Sequence, residues 1–179
     1  MSKVNSQLPI AVLTLLCVVC VPAFGVDGDD GLVLHFSFDP GTISNGIATD
    51  ESGQGNDGFV EGDPNLVGGA LEFDGIDDRI EVPLVPSITF DVGDSFSVMA
   101  WVKAPVQESG NEVIIATYGP TTPPQGNRWV LMFSDQVRRG SVAWALRDKD
   151  GKSYVRLDSP DPIDTDEWIH ITGIRDQDK

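Results

Sequence analysis

The densest run of oxygen ligands in the chain is Asp50-Glu51-Ser52-Gly53-Gln54-Gly55-Asn56-Asp57-Gly58. Calcium is a hard cation that takes about six to eight oxygens, mixing carboxylates, amide oxygens and backbone carbonyls. Asp50, Asn56 and Asp57 offer side-chain oxygens, Gly53 and Gly55 free the backbone to turn its carbonyls inward, and Asp39 can complete the set. A structural Ca2+ held by Asp39, Asp50, Asn56 and Asp57 is one expectation. An Asx-capped turn with no ion is the other, because Asp and Asn side chains close such turns unaided. The sequence leaves both open.

Other acidic groups point less far. Asp74, Asp77 and Asp78 read as a turn begun by Asp74-Gly75, with Asp78 beside Arg79 as its ion-pair partner. Asp148-Lys149-Asp150-Gly151 looks like the middle of an EF-hand loop, but its register puts Leu146 and Leu157 where the first and last acidic ligands are required. Hydrolysis of glycosides with retention needs two carboxyl groups about 5 to 5.5 Å apart. Glu72-Phe73-Asp74-Gly75-Ile76 starts a Glu-x-Asp-x-Glu pattern and then places Ile76 at its third acidic position. His35 and His170 are the two histidines, and neither has a Ser or Cys companion in a nucleophile setting. The expectation is a protein that binds and does not catalyse.

Binding to sugars uses aromatic faces for C–H stacking and polar side chains for hydroxyls. Tyr118 and Trp129 flank a proline-rich loop that also holds Asn127 and Arg128, and Trp144 lies in the same half of the chain as Arg138 and Arg139. Tyr118, Asn127, Arg128, Trp129 and Trp144 are therefore the candidate ligand contacts. Trp101 and Trp168 sit within apolar strands and are read as core residues.

Charge narrows the partners. With 28 acidic and 12 basic residues, the net charge of −16 repels phosphate backbones and anionic lipid. Nucleic acid is excluded as a partner on this ground. The first 25 residues read as an export leader: Lys3 precedes an apolar stretch from Leu8 to Val21, and Ala23-Phe24-Gly25 is a small-x-small cleavage site. That stretch is about 14 residues, short of the ~20 that cross a bilayer, so no membrane span remains after cleavage. The expected organisation is a leader over 1–25 and one domain over 26–179, secreted or held at the cell envelope. Cys17 and Cys20 both fall in the leader, which leaves the rest of the chain without a disulfide or thiol site.

The elements that must position these groups are strands. From residue 31 onward hydrophobicity alternates with period two, turn residues recur at short intervals, and no 3.6-residue stripe is sustained. Leu32, Leu34, Phe36 and Phe38 face one way along the first strand. Phe96, Val98, Ala100 and Val102 share a face of the most apolar one, with Ser97, Met99, Trp101 and Lys103 on the other. Further strands are read at 70–73, 79–82, 112–118, 129–133, 141–147, 153–157 and 168–174, with Asp150-Gly151 as a hairpin turn. Asp39 to Asp63 reads as a long structured turn region. An all-β, two-sheet antiparallel sandwich accommodates this pattern.

Five ordered blocks resemble a LamG-like jelly-roll domain of the concanavalin A-like lectin/glucanase superfamily, related to laminin G modules and pentraxins. They are Leu34-His35-Phe36-Ser37-Phe38-Asp39, then 50–58, then 69–82, then Phe96-Ser97-Val98-Met99-Ala100-Trp101-Val102-Lys103, and last Asp166-Glu167-Trp168-Ile169-His170-Ile171-Thr172-Gly173. The resemblance implies a jelly roll in which a structural calcium ties the first strand and the glycine-rich loop to an acidic residue on the last strand. The last strand or two of the family pattern find no counterpart before Lys179, which implies either a truncated product or a fold that lacks those edge strands. The partner it implies is a polysaccharide or glycoprotein glycan, or alternatively an extracellular protein in an adhesive assembly.

Overall fold

The computed structural model describes residues 13–19, 31–90, 93–106, 112–117, 128–134, 138–147 and 154–176. Among these residues the secondary structure is strand, apart from one 3-10 turn at Pro86–Ile88. The large sheet holds β1 (Leu13–Val19), β2 (Leu32–Phe36), β6 (Asn65–Leu66), β7 (Leu71–Glu72), β9 (Phe96–Val102) and β14 (Ile169–Arg175). A second sheet is a meander of β10 (Glu112–Ala116), β11 (Arg128–Ser134), β12 (Ser141–Arg147) and β13 (Tyr154–Asp158). A third, smaller sheet joins β3 (Ile43–Ser44), β4 (Ile47–Ala48), β5 (Gly58–Glu61) and β8 (Arg79–Glu81).

Every pairing among these strands is antiparallel. This is the expected all-β sandwich, with a small sheet that joins β3, β4 and β5 of the region read as a long turn to β8, the strand expected at 79–82. β9 is its central strand, flanked by β14 and β1 over most of its length. Alternation does what the sequence asks of it. Phe96, Val98, Ala100 and Val102 are all buried, and so are Leu34, Phe36 and Phe38.

The core forms where the large sheet meets the meander. Phe96 from β9 sits 5.8 Å from Trp129 of β11 and 5.9 Å from Trp144 of β12, ring centre to ring centre, and the two indoles are 6.0 Å apart. Phe90 stacks on the other side of Phe96 at 4.2 Å. Tilted and edge-on contacts at these separations suit aromatic quadrupoles. The Trp144 indole N–H donates to the Ile174 carbonyl of β14 at 3.1 Å, so the polar tip of a buried ring is satisfied across the sheets.

β12 and β13 pair as a hairpin from Arg147↔Tyr154 onward, as expected; its Asp150-Gly151 turn lies outside the described residues. Between Ile43 and Ala48 stands a hairpin that the sequence reading missed. Asn45 and Gly46 both adopt positive φ, 52° and 75°, the geometry of a two-residue I′ turn.

Candidate functional site

The loop after β4 is built around one carboxylate. Asp50 Oδ1 accepts the backbone N–H groups of His35 (2.9 Å) and Ser52 (2.9 Å). Its Oδ2 accepts the Ser52 hydroxyl (2.7 Å) and the Asn56 N–H (2.8 Å). Burial alone would push the Asp50 carboxyl up, but the hydrogen bonds from Ser52, Asn56 and His35 outweigh it and hold it below the usual aspartate range.

Asn56 is equally committed. Its Nδ2 donates to the Val33 carbonyl (2.6 Å) and to Ser87 Oγ (3.1 Å), while its Oδ1 accepts the Ser87 hydroxyl (3.3 Å). Asp57 Oδ1 accepts the Asp50 N–H at 2.8 Å. Asp39 stands apart and exposed, with its own N–H bonded to Ser37 Oγ and its carbonyl to Thr42.

This arrangement does not fit a calcium ion. An ionised carboxylate has about four lone-pair sites, and at Asp50 four donors fill them. A cation placed there would meet N–H and O–H groups instead of oxygens. Asp39, Asp50, Asn56 and Asp57 thus do not converge as one ligand set. The hydrogen bonds of the loop are those of an Asx-closed turn, the arrangement weighed beside the metal site.

The second acidic turn is also closed by backbone donors. Asp78 accepts the N–H groups of Asp63 and Asp74, both at 2.8 Å, and Asp74 Oδ1 accepts that of Ile76 at 2.8 Å. Arg79 does not pair with Asp78 as expected; it bonds Glu81 at 3.1 Å and approaches Glu61 at 3.8 Å. Alternation explains this, since residues 79 and 81 share a face of β8 and their register partners on β5 carry Glu61.

The aromatic assignments need exchanging. Trp129 and Trp144, read as ligand contacts, are 5% and 7% exposed and form the core described above. Trp101 and Trp168, read as core, are 41% and 43% exposed. Period two had already placed Trp101 opposite Phe96, Val98, Ala100 and Val102; a place inside an apolar strand does not decide which face a ring takes. Tyr118 and Asn127 lie outside the described residues, and of Arg128 the structure gives only its place in β11, opposite Arg147. Arg138 is engaged with Asp161 (3.0 Å) and the Pro160 carbonyl (2.9 Å).

The outer face of β9 and β14 therefore carries the exposed rings. Trp101 lies directly across from His170, ring centres 5.2 Å apart and tilted by 54°. Extending that register by one residue sets Trp168 opposite Lys103, whose Nζ is 3.6 Å from Asp166 Oδ1. Thr172 is exposed next along β14, across from Met99. Aromatic faces bordered by an imidazole, a hydroxyl and an ion pair can stack on C–H surfaces and hydrogen-bond hydroxyl groups at once.

A family model, Laminin_G_3 of the concanavalin A-like lectin/glucanases superfamily, matches residues 74–179. The chain belongs to that family. No curated protein and no solved structure matches it. The matched span covers β8 to β14, including the Trp101 and His170 strands, and begins after the Asp50 loop.

A laminin G-like domain of this superfamily is in general a carbohydrate- or protein-binding module. In this laminin G-like chain the residues that start a glucanase-like pattern divide between two elements. Glu72 ends β7, while Asp74 lies in the turn beyond it, accepting the Ile76 N–H. No helix among the described residues is long and apolar enough to cross a membrane.

Proposed function

We propose that this protein is an exported, non-catalytic module that binds neutral polysaccharide or glycan chains on the outer face of β9 and β14. The observation that carries the reading is the exposed Trp101–His170 pair, with Trp168 exposed on the same strand end. Exposed rings gathered on one face of a sheet make an apolar patch rimmed by polar groups, the kind that marks a binding surface. Pyranose rings present flat C–H faces to such aromatics and hydroxyls to the groups beside them.

The net charge of −16 points to neutral sugars, because sulfate and uronate groups would be repelled. Export rests on the leader pattern at residues 1–25. A glycan array with the whole protein and with Trp101→Ala tests the reading. Neutral glycans are expected to be retained, and the substitution is expected to weaken them about tenfold, the equivalent of ~1.4 kcal/mol. Absence of any glycan signal, or a signal confined to anionic glycans, would reject it.

A protein partner is the second reading, and a different surface favours it. Val155 and Leu157 are 57% and 64% exposed on β13, which among the described residues pairs with β12 alone. An apolar strand at a sheet edge suits strand addition by another protein.

A further inference from the structure

β2 has β1 on one side, and its other edge turns away from the sheet. Backbone groups of alternate residues in a strand point to the same edge, so Val33, His35 and Ser37 direct their polar atoms outward together. Four of those atoms are met by one loop. Asn56 Nδ2 donates to the Val33 carbonyl (2.6 Å), Asp50 Oδ1 accepts the His35 N–H (2.9 Å), the Glu51 N–H donates to the His35 carbonyl (2.9 Å), and Glu51 Oε2 accepts the Ser37 N–H (3.2 Å). Ser87, from the 3-10 turn, clamps Asn56 from behind.

We propose that residues 50–57 form a metal-independent substitute strand that closes the edge of β2, with the Asp50 carboxylate as the fixed anion around which the loop is wound. Three of the four edge bonds come from side chains, which lets a short irregular loop match the spacing of a ladder. The donors gathered on Asp50 explain why no cation is needed: they neutralise the buried charge themselves. They also explain what is lost without it. An uncovered β2 would present a row of unpaired N–H and C=O groups to any other chain.

The test is thermal melting of the full chain in millimolar calcium and in EDTA, with size-exclusion chromatography and amide exchange on the same samples. The expected result is a melting temperature that agrees within about 1 °C in the two solutions, as for a ligand that does not distinguish folded from unfolded chain. Asp50→Asn, which turns an amide group toward N–H donors, is expected to lose exchange protection at His35, Ser52 and Asn56. Asn56→Ala is the milder variant, expected to fold and to shift toward dimers and larger species. A calcium-dependent rise of several degrees that Asp50→Asn abolishes would overturn the proposal. So would an Asn56→Ala protein that stays monomeric and melts like the parent. A rise that survives Asp50→Asn and vanishes in Asp77→Asn would place an ion in the 74–78 turn and leave the proposal standing.

Discussion

Gly173 lies against the Trp144 indole so closely that a Cβ at position 173 would stand 2.6 Å from two of its ring carbons. The contact joins β14 to β12 through the middle of the sandwich, next to the bond from Trp144 Nε1 to Ile174. It means that the glycine is a packing residue. The indole is already fixed on its other faces by Phe96 and Trp129 and cannot step aside. Gly173→Ala is expected to destabilise the protein by about 1–3 kcal/mol through overpacking, read as a lower urea midpoint at unchanged slope.

The two tryptophan pairs should separate cleanly on substitution. Trp144→Ala opens a cavity in the core and is expected to cost about 3–5 kcal/mol. Trp101→Ala removes a ring that already faces water, so its effect on stability is expected to stay within about 1 kcal/mol while glycan retention falls. Equilibrium unfolding and array binding of the two variants side by side check this, and equal destabilisation by both would show that Trp101 is a core residue after all.

Acid should weaken the fold through Asp50 and Asp158. Asp50 is held low by the balance already described. The Asp158 carboxyl is held low by its hydrogen bonds from Arg156, with burial opposing and the guanidinium charge adding to the effect. A carboxyl whose folded value lies below its unfolded one stabilises the protein in full above pH ~4 and loses that contribution as pH falls through the folded value. Unfolding free energy measured in urea is thus expected to decline as pH falls below about 4. The Asp158→Asn variant should show a shallower decline.

The alternation of β9 and β2 was legible in the sequence because each strand buries one face, and period two follows from that. β12 was legible to the residue, and the position of the 50–58 loop was evident from its glycines and Asx residues. Of the small sheet only β8 was read as a strand, since β3 and β4 are two residues long and too short to show a period. One local signal was overlooked there: Asn45-Gly46 favours positive φ twice in succession, and a hairpin follows from it. The metal reading counted oxygens correctly, but a sequence does not say whether donors or acceptors will surround a carboxylate. The choice of binding tryptophans failed for a different reason. Trp129 and Trp144 sit beside polar loops in sequence, yet burial is decided by the opposite sheet, and Phe96 is some thirty to fifty residues away along the chain.

β1 has a consequence for the order of events in the cell. Leu13–Val19 is threaded between β2 and β9, and it falls within the stretch whose composition is that of an export leader. The same seven residues cannot be engaged by a translocation channel and interleaved in a sheet together. Cutting at the expected site would withdraw the plank between two strands and leave β2 and β9 about 10 Å apart, two strand spacings. A chain started at Val26 is accordingly expected to melt lower than the full-length chain when both are made without export, by calorimetry. Under the proposed export, translocation and tertiary structure would compete for one segment, and whichever claims it first would set the fate of the molecule.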